Sequence, residues 1–172
     1  MSLKIYAARG MTGRVKEEVV NEAIKDKEYF EKNGFTVLCP VISENVKPTQ
    51  ERLVSSKKQM DEFWPRDKQM IREAHVVFDM TPHLNSEGCK HEIGYARYFL
   101  YKPIIRIFPK GQLPFKSSVA YYEDDFITDD TSVAVDYAKS NFGTTWKRIK
   151  WRLMLYKRCL PKMVYYWITA WK

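Results

Sequence analysis

Two carboxylates in this chain stand where carboxylates are unusual. Glu92 follows a buried-strand pattern at 75–80 and a polar loop that includes Ser86 and Gly88. It precedes Ile93, Ala96, Phe99 and Leu100, which recur at helical spacing. A carboxylate at such a helix start lies beside the carboxyl edge of a parallel sheet, where open α/β sheets take their ligands. Whether the rest of the chain supplies partners for Glu92 is then the question. Asp67 falls on the same helical face as Met70, Ile71 and Ala74; an exposed or capping aspartate would read the same way.

A third group is Arg9-Gly10-Met11-Thr12-Gly13-Arg14, directly after a strand-like stretch at 3–8. A glycine-containing turn between a strand and a helix exposes backbone N–H groups beside a helix N-terminus, which favours anions such as phosphate. A plain turn with solvated arginines fits the same residues. His75 and His83 have no partners at ligand spacing, so no metal is expected. His91 adjoins Glu92, but neighbouring helical side chains diverge, and it is expected to face solvent.

These residues need a framework, and the chain alternates accordingly. A helix is expected over 15–33, with Val19, Val20, Ala23, Ile24 and Phe30 on one face and Gly34 at its end. A strand follows at 35–39, stopped by Pro40, then a mobile or irregular loop over 41–58 that could cover the site. A helical region at 59–74 carries Pro65 in a first turn or at a break. Strand 75–80, helix 90–101 and strand 103–108 come next. A short strand is expected at 119–122, then an acidic, solvated edge through Asp130, and a helix from Thr131 to about 142. The order predicts a doubly wound α/β fold with a parallel sheet of about five strands and helices on both faces.

Size and composition set bounds. The 172 residues suit one α/β domain over 1–142, with 143–172 as a helical extension. Of 29 Lys and Arg, eight lie in 143–172, which holds no acid; the remaining 21 balance the 21 acids. The body is thus neutral, which argues against a nucleic-acid binder. In the extension Trp146, Ile149, Leu153, Tyr156 and Leu160 recur at threes and fours between basic residues, and Pro161 is expected to end that helix. Three readings stay open for it: packing on its own or a neighbouring subunit, contact with a membrane surface, and contact with nucleic acid or protein. No stretch approaches the roughly 20 apolar residues of a membrane span. Three cysteines without metal spacing read as reduced thiols in a cytoplasmic protein without a signal peptide, and no cofactor is expected.

Several blocks together resemble the nucleoside 2-deoxyribosyltransferase superfamily: Ile5-Tyr6-Ala7-Ala8 with Gly10, Asp67-Lys68-Gln69-Met70-Ile71-Arg72-Glu73-Ala74-His75-Val76-Val77, Ser86-x-Gly88-x-x-x-Glu92-Ile93-Gly94-Tyr95-Ala96, and Lys102-Pro103-Ile104-Ile105. The resemblance covers roughly residues 3–142. It implies a Rossmann-like, flavodoxin-like fold and either base exchange between nucleosides or hydrolysis of (deoxy)nucleoside 5′-monophosphates. It implies Glu92 as the nucleophile on the anomeric carbon, Asp67 as the carboxylate beside it and Tyr6 as the group that orients Glu92. A carboxylate can trap an oxocarbenium-like state covalently, and a second acid can manage the leaving base and the incoming water. Where the transferases carry an aspartate six residues before the nucleophile, this chain has Ser86. A hydroxyl and nearby N–H groups can donate to a phosphate that an aspartate would repel.

The branch with that serine also implies a phosphate site from Ser86, Gly88, Arg9, Thr12 and Arg14, completed by Ser117 of a neighbouring subunit, and hence a homodimer or larger homo-oligomer. Asp79 and Gly10 are candidates for sugar or base contact, with loop capping an equal reading for Asp79. Cys89 has no base to activate it. The expected function is an N-glycosidase acting on nucleoside 5′-monophosphates. Base exchange is the alternative, as is a catalytically silent nucleotide-binding module held to a membrane or partner by its extension.

Overall fold

The computed structural model describes residues 2–53, 57–84, 86–114 and 126–170, with the backbone alone for 57–60 and 158–170. Alternation along β1 (Leu3–Ala8) organises what lies on each side of it. Ile5 and Ala7 point into one core and Tyr6 and Ala8 into another, as a two-residue period requires. β2 (Phe35–Leu38), β3 (Val76–Asp79), β4 (Ile104–Ile107) and β5 (Phe126–Thr128) join β1 in one sheet of order β2-β1-β3-β4-β5. All pairings are parallel. The order reverses at β1 and β3, so the crevice beyond their carboxyl ends is the ligand position of such a sheet.

The Ile5 face is covered by α1 (Lys16–Lys32) and α5 (Thr131–Phe142), through Val19, Val20, Ala23, Phe30, Val135, Ala138 and Phe142. Phe30 packs edge-on against Phe35 and Phe78, with ring centroids 6.1 and 5.2 Å away. Truncating such a fully buried ring costs about 3–5 kcal/mol. The Tyr6 face is covered by α3 (Lys57–Glu73) and α4 (Glu87–Gly94), with a π-helical turn at Tyr95–Phe99 after α4. Lys102 closes this side: its buried ammonium donates to the carbonyls of Arg72, at 2.8 Å, and Ala74, at the end of α3. Burial, with the Arg152 charge added, pulls its pKa down to about 8.

Several expected boundaries shift. α3 runs through Pro65 without a break. Pro65 is exposed, so its missing amide costs little while the apolar face continues on the other side. Helix α6 (Thr145–Ala170) likewise runs through Pro161, and the three-and-four spacing of apolar residues continues across it. Pro40 starts a short helix, α2 (Pro40–Ser43), as proline at a first helical position does. The loop after α2 is irregular but tied down. Leu53 accepts from the Gly13 amide and donates to the Arg14 carbonyl, both at 2.8 Å, and the Lys16 amide donates to Glu51 at 2.9 Å. α4 begins at Glu87, earlier than expected, which places Glu92 in its second turn.

The strand expected at 119–122 lies outside the described residues. Among the described residues β5 forms the edge of the sheet opposite β2, and it lies inside the stretch read as a solvated edge. Phe126 stacks on Tyr137 with centroids 4.0 Å apart, which holds β5 against α5. The flanking acids have capping roles. Asp130 accepts from the Ser132 amide at 2.8 Å at the start of α5, and Asp129 accepts from the Gly111 amide at 2.8 Å.

Candidate active site

Three expected residues converge on the Tyr6 face. Tyr6 is fully buried in β1, Asp67 projects from α3 and Glu92 from α4, and both acids are buried. Strand alternation turns Tyr6 toward the two helices, and the helical period turns Asp67 and Glu92 toward the strand.

Their charges act on one another. Burial pushes the Glu92 carboxyl well above the usual carboxylate range; the Asp67 charge adds to this, as do Asp79 and Glu44, while Tyr6 favours the charged form. Burial raises Asp67 as well, against the nearby Arg66. The Tyr6 hydroxyl is itself held protonated, first by burial and then by Glu92 and Asp67. The Tyr6 hydroxyl, Glu92 Oε2 and Asp67 Oδ1 are buried, and beyond the approach of Tyr6 to Glu92 and the Arg66 charge beside Asp67 they find no partner among the described residues. Buried polar atoms normally have full sets of partners, so three under-satisfied groups together mark a place where something else binds.

A fourth acid belongs to this cluster and was not expected. Glu44, at the end of α2, accepts from Arg66 Nη2 at 2.7 Å, and the same nitrogen stands 3.6 Å from Asp67 Oδ1. Burial brings the Glu44 pKa up to about 7, with Arg66 opposing and Asp67 reinforcing. The only sequence signal for it was Pro40, which reads as a helix start as readily as a strand stop. The cluster thus holds three buried acids and one arginine. They cannot all ionise cheaply, so at least one is kept as a proton donor at neutral pH.

A second group lies next to it at the β1–β3 switch point. The Gly10 amide donates to Thr81 Oγ1 at 2.6 Å, joining the loops after β1 and β3. A Cβ on Gly10 would come 3.0 Å from that of Ser86, so only glycine lets the loops meet this closely. Ser86 occupies the position before the first turn of α4 and does not cap it, whereas Asp130 does cap α5. The first-turn N–H groups of α4 thus receive no bond from the cap side chain, and Gly88 adds no side chain among them. That geometry favours an anion.

Other expected residues go elsewhere. Arg9 pairs with Glu22 and Asp26 on α1, and Arg14 pairs with Glu22 at 2.6 Å. The two arginines are thus turned onto α1 by carboxylates, and neither takes the open phosphate-binding position expected of it. Thr12 is exposed in the turn between them. Asp79 is bound by Arg106 Nη1 at 2.8 Å and by the Thr81 amide at 3.3 Å, which is the loop-capping reading. Burial pushes the Cys89 thiol far up, so it stays neutral. His91 faces solvent. Ser117 lies outside the described residues. Among the described residues no three His, Cys, Asp or Glu side chains are grouped to hold a metal ion.

No family model matches the chain, and no curated protein does. Among solved structures the chain is similar to a 2-deoxyribosyltransferase from the psychrotolerant bacterium Bacillus psychrosaccharolyticus. The two share 24% identity at a TM-score of 0.45, over 65% of this chain and 77% of that one.

Proposed function

We propose that this chain is an N-glycosidase that releases the base from (deoxy)nucleoside 5′-monophosphates. The observation that carries the reading is the buried, under-satisfied trio of Tyr6, Asp67 and Glu92 beside the uncapped start of α4. Glu92 attacks the anomeric carbon, forming an ester as the bond to the base nitrogen breaks. Asp67, whose carboxyl pKa burial raises against Arg66, stands beside Glu92 to pass a proton to the leaving base. Water then attacks the same carbon, Asp67 takes its proton, and Glu92 is released. Tyr6 donates toward Glu92 and steadies it as the anion. Ser86 and the α4 amides hold the 5′-phosphate, and the glycine at 88 lets it approach.

The work belongs to residues 1–142, with Ser117 of a neighbouring subunit closing the phosphate site of a cytoplasmic homo-oligomer. Base exchange between nucleosides is the second reading. It gains from one observation: Arg9 and Arg14 are held by Glu22 and Asp26, so the phosphate site rests on neutral donors.

The test is a panel of deoxynucleoside and ribonucleoside monophosphates with their parent nucleosides, read for free base. Release from monophosphates alone is expected, and Ser86→Asp should lower that preference by about tenfold or more through charge repulsion. Base exchange with an added free base would favour the second reading. No turnover, with nucleotide binding unchanged in Glu92→Ala, would leave a binding module.

A further inference from the structure

Helix α6 presents two unlike faces. On one, Leu155 is fully buried, and Trp151 packs edge-on against Phe142 with ring centroids 5.1 Å apart. Arg148 on the same side donates to the Phe142 carbonyl at 3.0 Å. On the other, Trp146, Ile149 and Leu153 are 72%, 45% and 59% exposed. Eleven large apolar side chains are exposed among the described residues, and five of them lie between Trp146 and Tyr156. Such a concentration marks an interaction surface rather than scattered exposure. The same spacing continues along the helix at Leu160, Val164 and Trp167. Lys147, Lys150, Arg152 and Lys157 are exposed around the stripe, and no acid occurs anywhere in 143–172.

The position of α6 matters as much as its composition. Tyr156 packs on Tyr101, just before β4, with centroids 5.3 Å apart. His75, just before β3, feels Arg148 and Arg152 of α6 together with Lys102 and Lys4; burial and these charges bring its pKa down to about 4. α6 therefore passes the amino ends of the strands, opposite the candidate site at their carboxyl ends.

We propose that the exposed face of α6 docks on an anionic lipid bilayer, lying in its plane. Trp146, Ile149 and Leu153 enter the boundary between headgroups and acyl chains, and the lysines beside them meet lipid phosphates. No helix among the described residues is long and apolar enough to cross a membrane, so the contact is with the surface. Charge complementarity selects this occupant. A second copy would bring the same all-basic helix against itself. A nucleic acid would meet the lysines but leave Ile149 and Leu153 in water. Bound this way, the candidate site faces away from the bilayer and stays open.

The experiment is co-sedimentation of the full chain with vesicles of phosphatidylcholine, with or without about one third phosphatidylserine. Binding to the anionic vesicles is expected, weakening at least about tenfold without phosphatidylserine or at about 0.5 M salt. Ile149→Ser with Leu153→Ser, and separately Lys150→Glu with Lys157→Glu, should each weaken it about tenfold or more with the melting temperature unchanged, since all four side chains are exposed. Absence of binding to anionic vesicles would overturn the proposal. So would binding indifferent to the apolar pair, or self-association that the apolar pair abolishes without any vesicle binding. Duplex DNA bound as tightly as the vesicles would do the same.

Discussion

Arg66 Nη2 stands 2.7 Å from Glu44 Oε1, and this contact ties α2 to the middle of α3 beside the proposed acid–base pair. One guanidinium serves both Glu44 and Asp67, and it does not offset the burial of either: Glu44 is brought up to about 7 and Asp67 is raised. The folded chain therefore keeps the Glu44 proton up to about pH 7, while the unfolded chain gives it up near the ordinary value of 4.5. Folded protein binds more protons over that window, so stability is greatest below it and falls as pH rises through it. Glu44→Gln retains an acceptor for Arg66 and removes this titration. Urea unfolding should show a flatter decline between about pH 4.5 and about 7, and a variant more stable than the parent at pH 8. Glu92 and Asp67 act in the same direction, so some slope remains; an unchanged slope would exclude Glu44 as a source.

Glu92 poses the same conflict between stability and chemistry in a stronger form. Burial raises its pKa, and the Asp67 charge raises it further. A neutral amide of the same shape relieves that cost. Glu92→Gln is expected to stabilise the fold by about 1–2 kcal/mol while lowering base release by at least about a thousandfold. Tyr6 acts on Glu92 in the other direction, favouring its anion. Tyr6→Phe should therefore move the acid limb of the kcat/KM profile to higher pH and lower its plateau by roughly tenfold. A profile unmoved by Tyr6→Phe would mean that the hydroxyl does not act on the nucleophile.

The meeting of Gly10 with Ser86 makes a different kind of prediction. A methyl group at residue 10 would come 3.0 Å from the Ser86 Cβ and 3.3 Å from Thr81 Oγ1. One of the two loops must give way, and the Gly10 amide bond to Thr81 couples that shift to the loop carrying Ser86. Gly10→Ala is expected to raise KM for monophosphates about tenfold or more while kcat changes by less than about threefold, since the disturbed group binds phosphate and the carboxylates stay in place. Equal effects on kcat and KM would place Gly10 with the reacting groups instead.

How much of this was legible in the sequence depends on the range of the forces involved. The apolar run at 75–80 and the strand-like stretch at 3–8 read directly as strands, because burial on both faces leaves a local apolar run. Asp67 stands out as an acid on an apolar helical face and Glu92 as an acid at a helix start after a buried strand, which are also local contrasts. Glu44 does not, because its burial comes from α2 packing on α1 and from Arg66, 22 residues away. Arg9 and Arg14 read as anion ligands because nothing near them shows that Glu22 and Asp26, four residues apart on α1, face the same turn. Pro161 reads as a helix break and Pro65 as a first turn or a break because the rule is local, whereas the amphipathic faces that carry α3 and α6 through them are properties of the whole helix.

Two leucines two residues apart on α6 separate its structural face from its exposed one. Leu155 is fully buried, on the face where Trp151 meets Phe142 and Arg148 bonds the Phe142 carbonyl. Leu153 is 59% exposed on the opposite side. Leu155→Ala should destabilise the chain by about 2–5 kcal/mol, the cost of a cavity in a packed contact. Leu153→Ala removes side chain from water and should change stability by less than about 0.5 kcal/mol. Chemical denaturation of the two variants at equal concentration measures both. If α6 were an appendage hinged at Gly143, the two substitutions would be equally mild; a large loss confined to Leu155→Ala makes the first half of the helix part of the domain that carries the site.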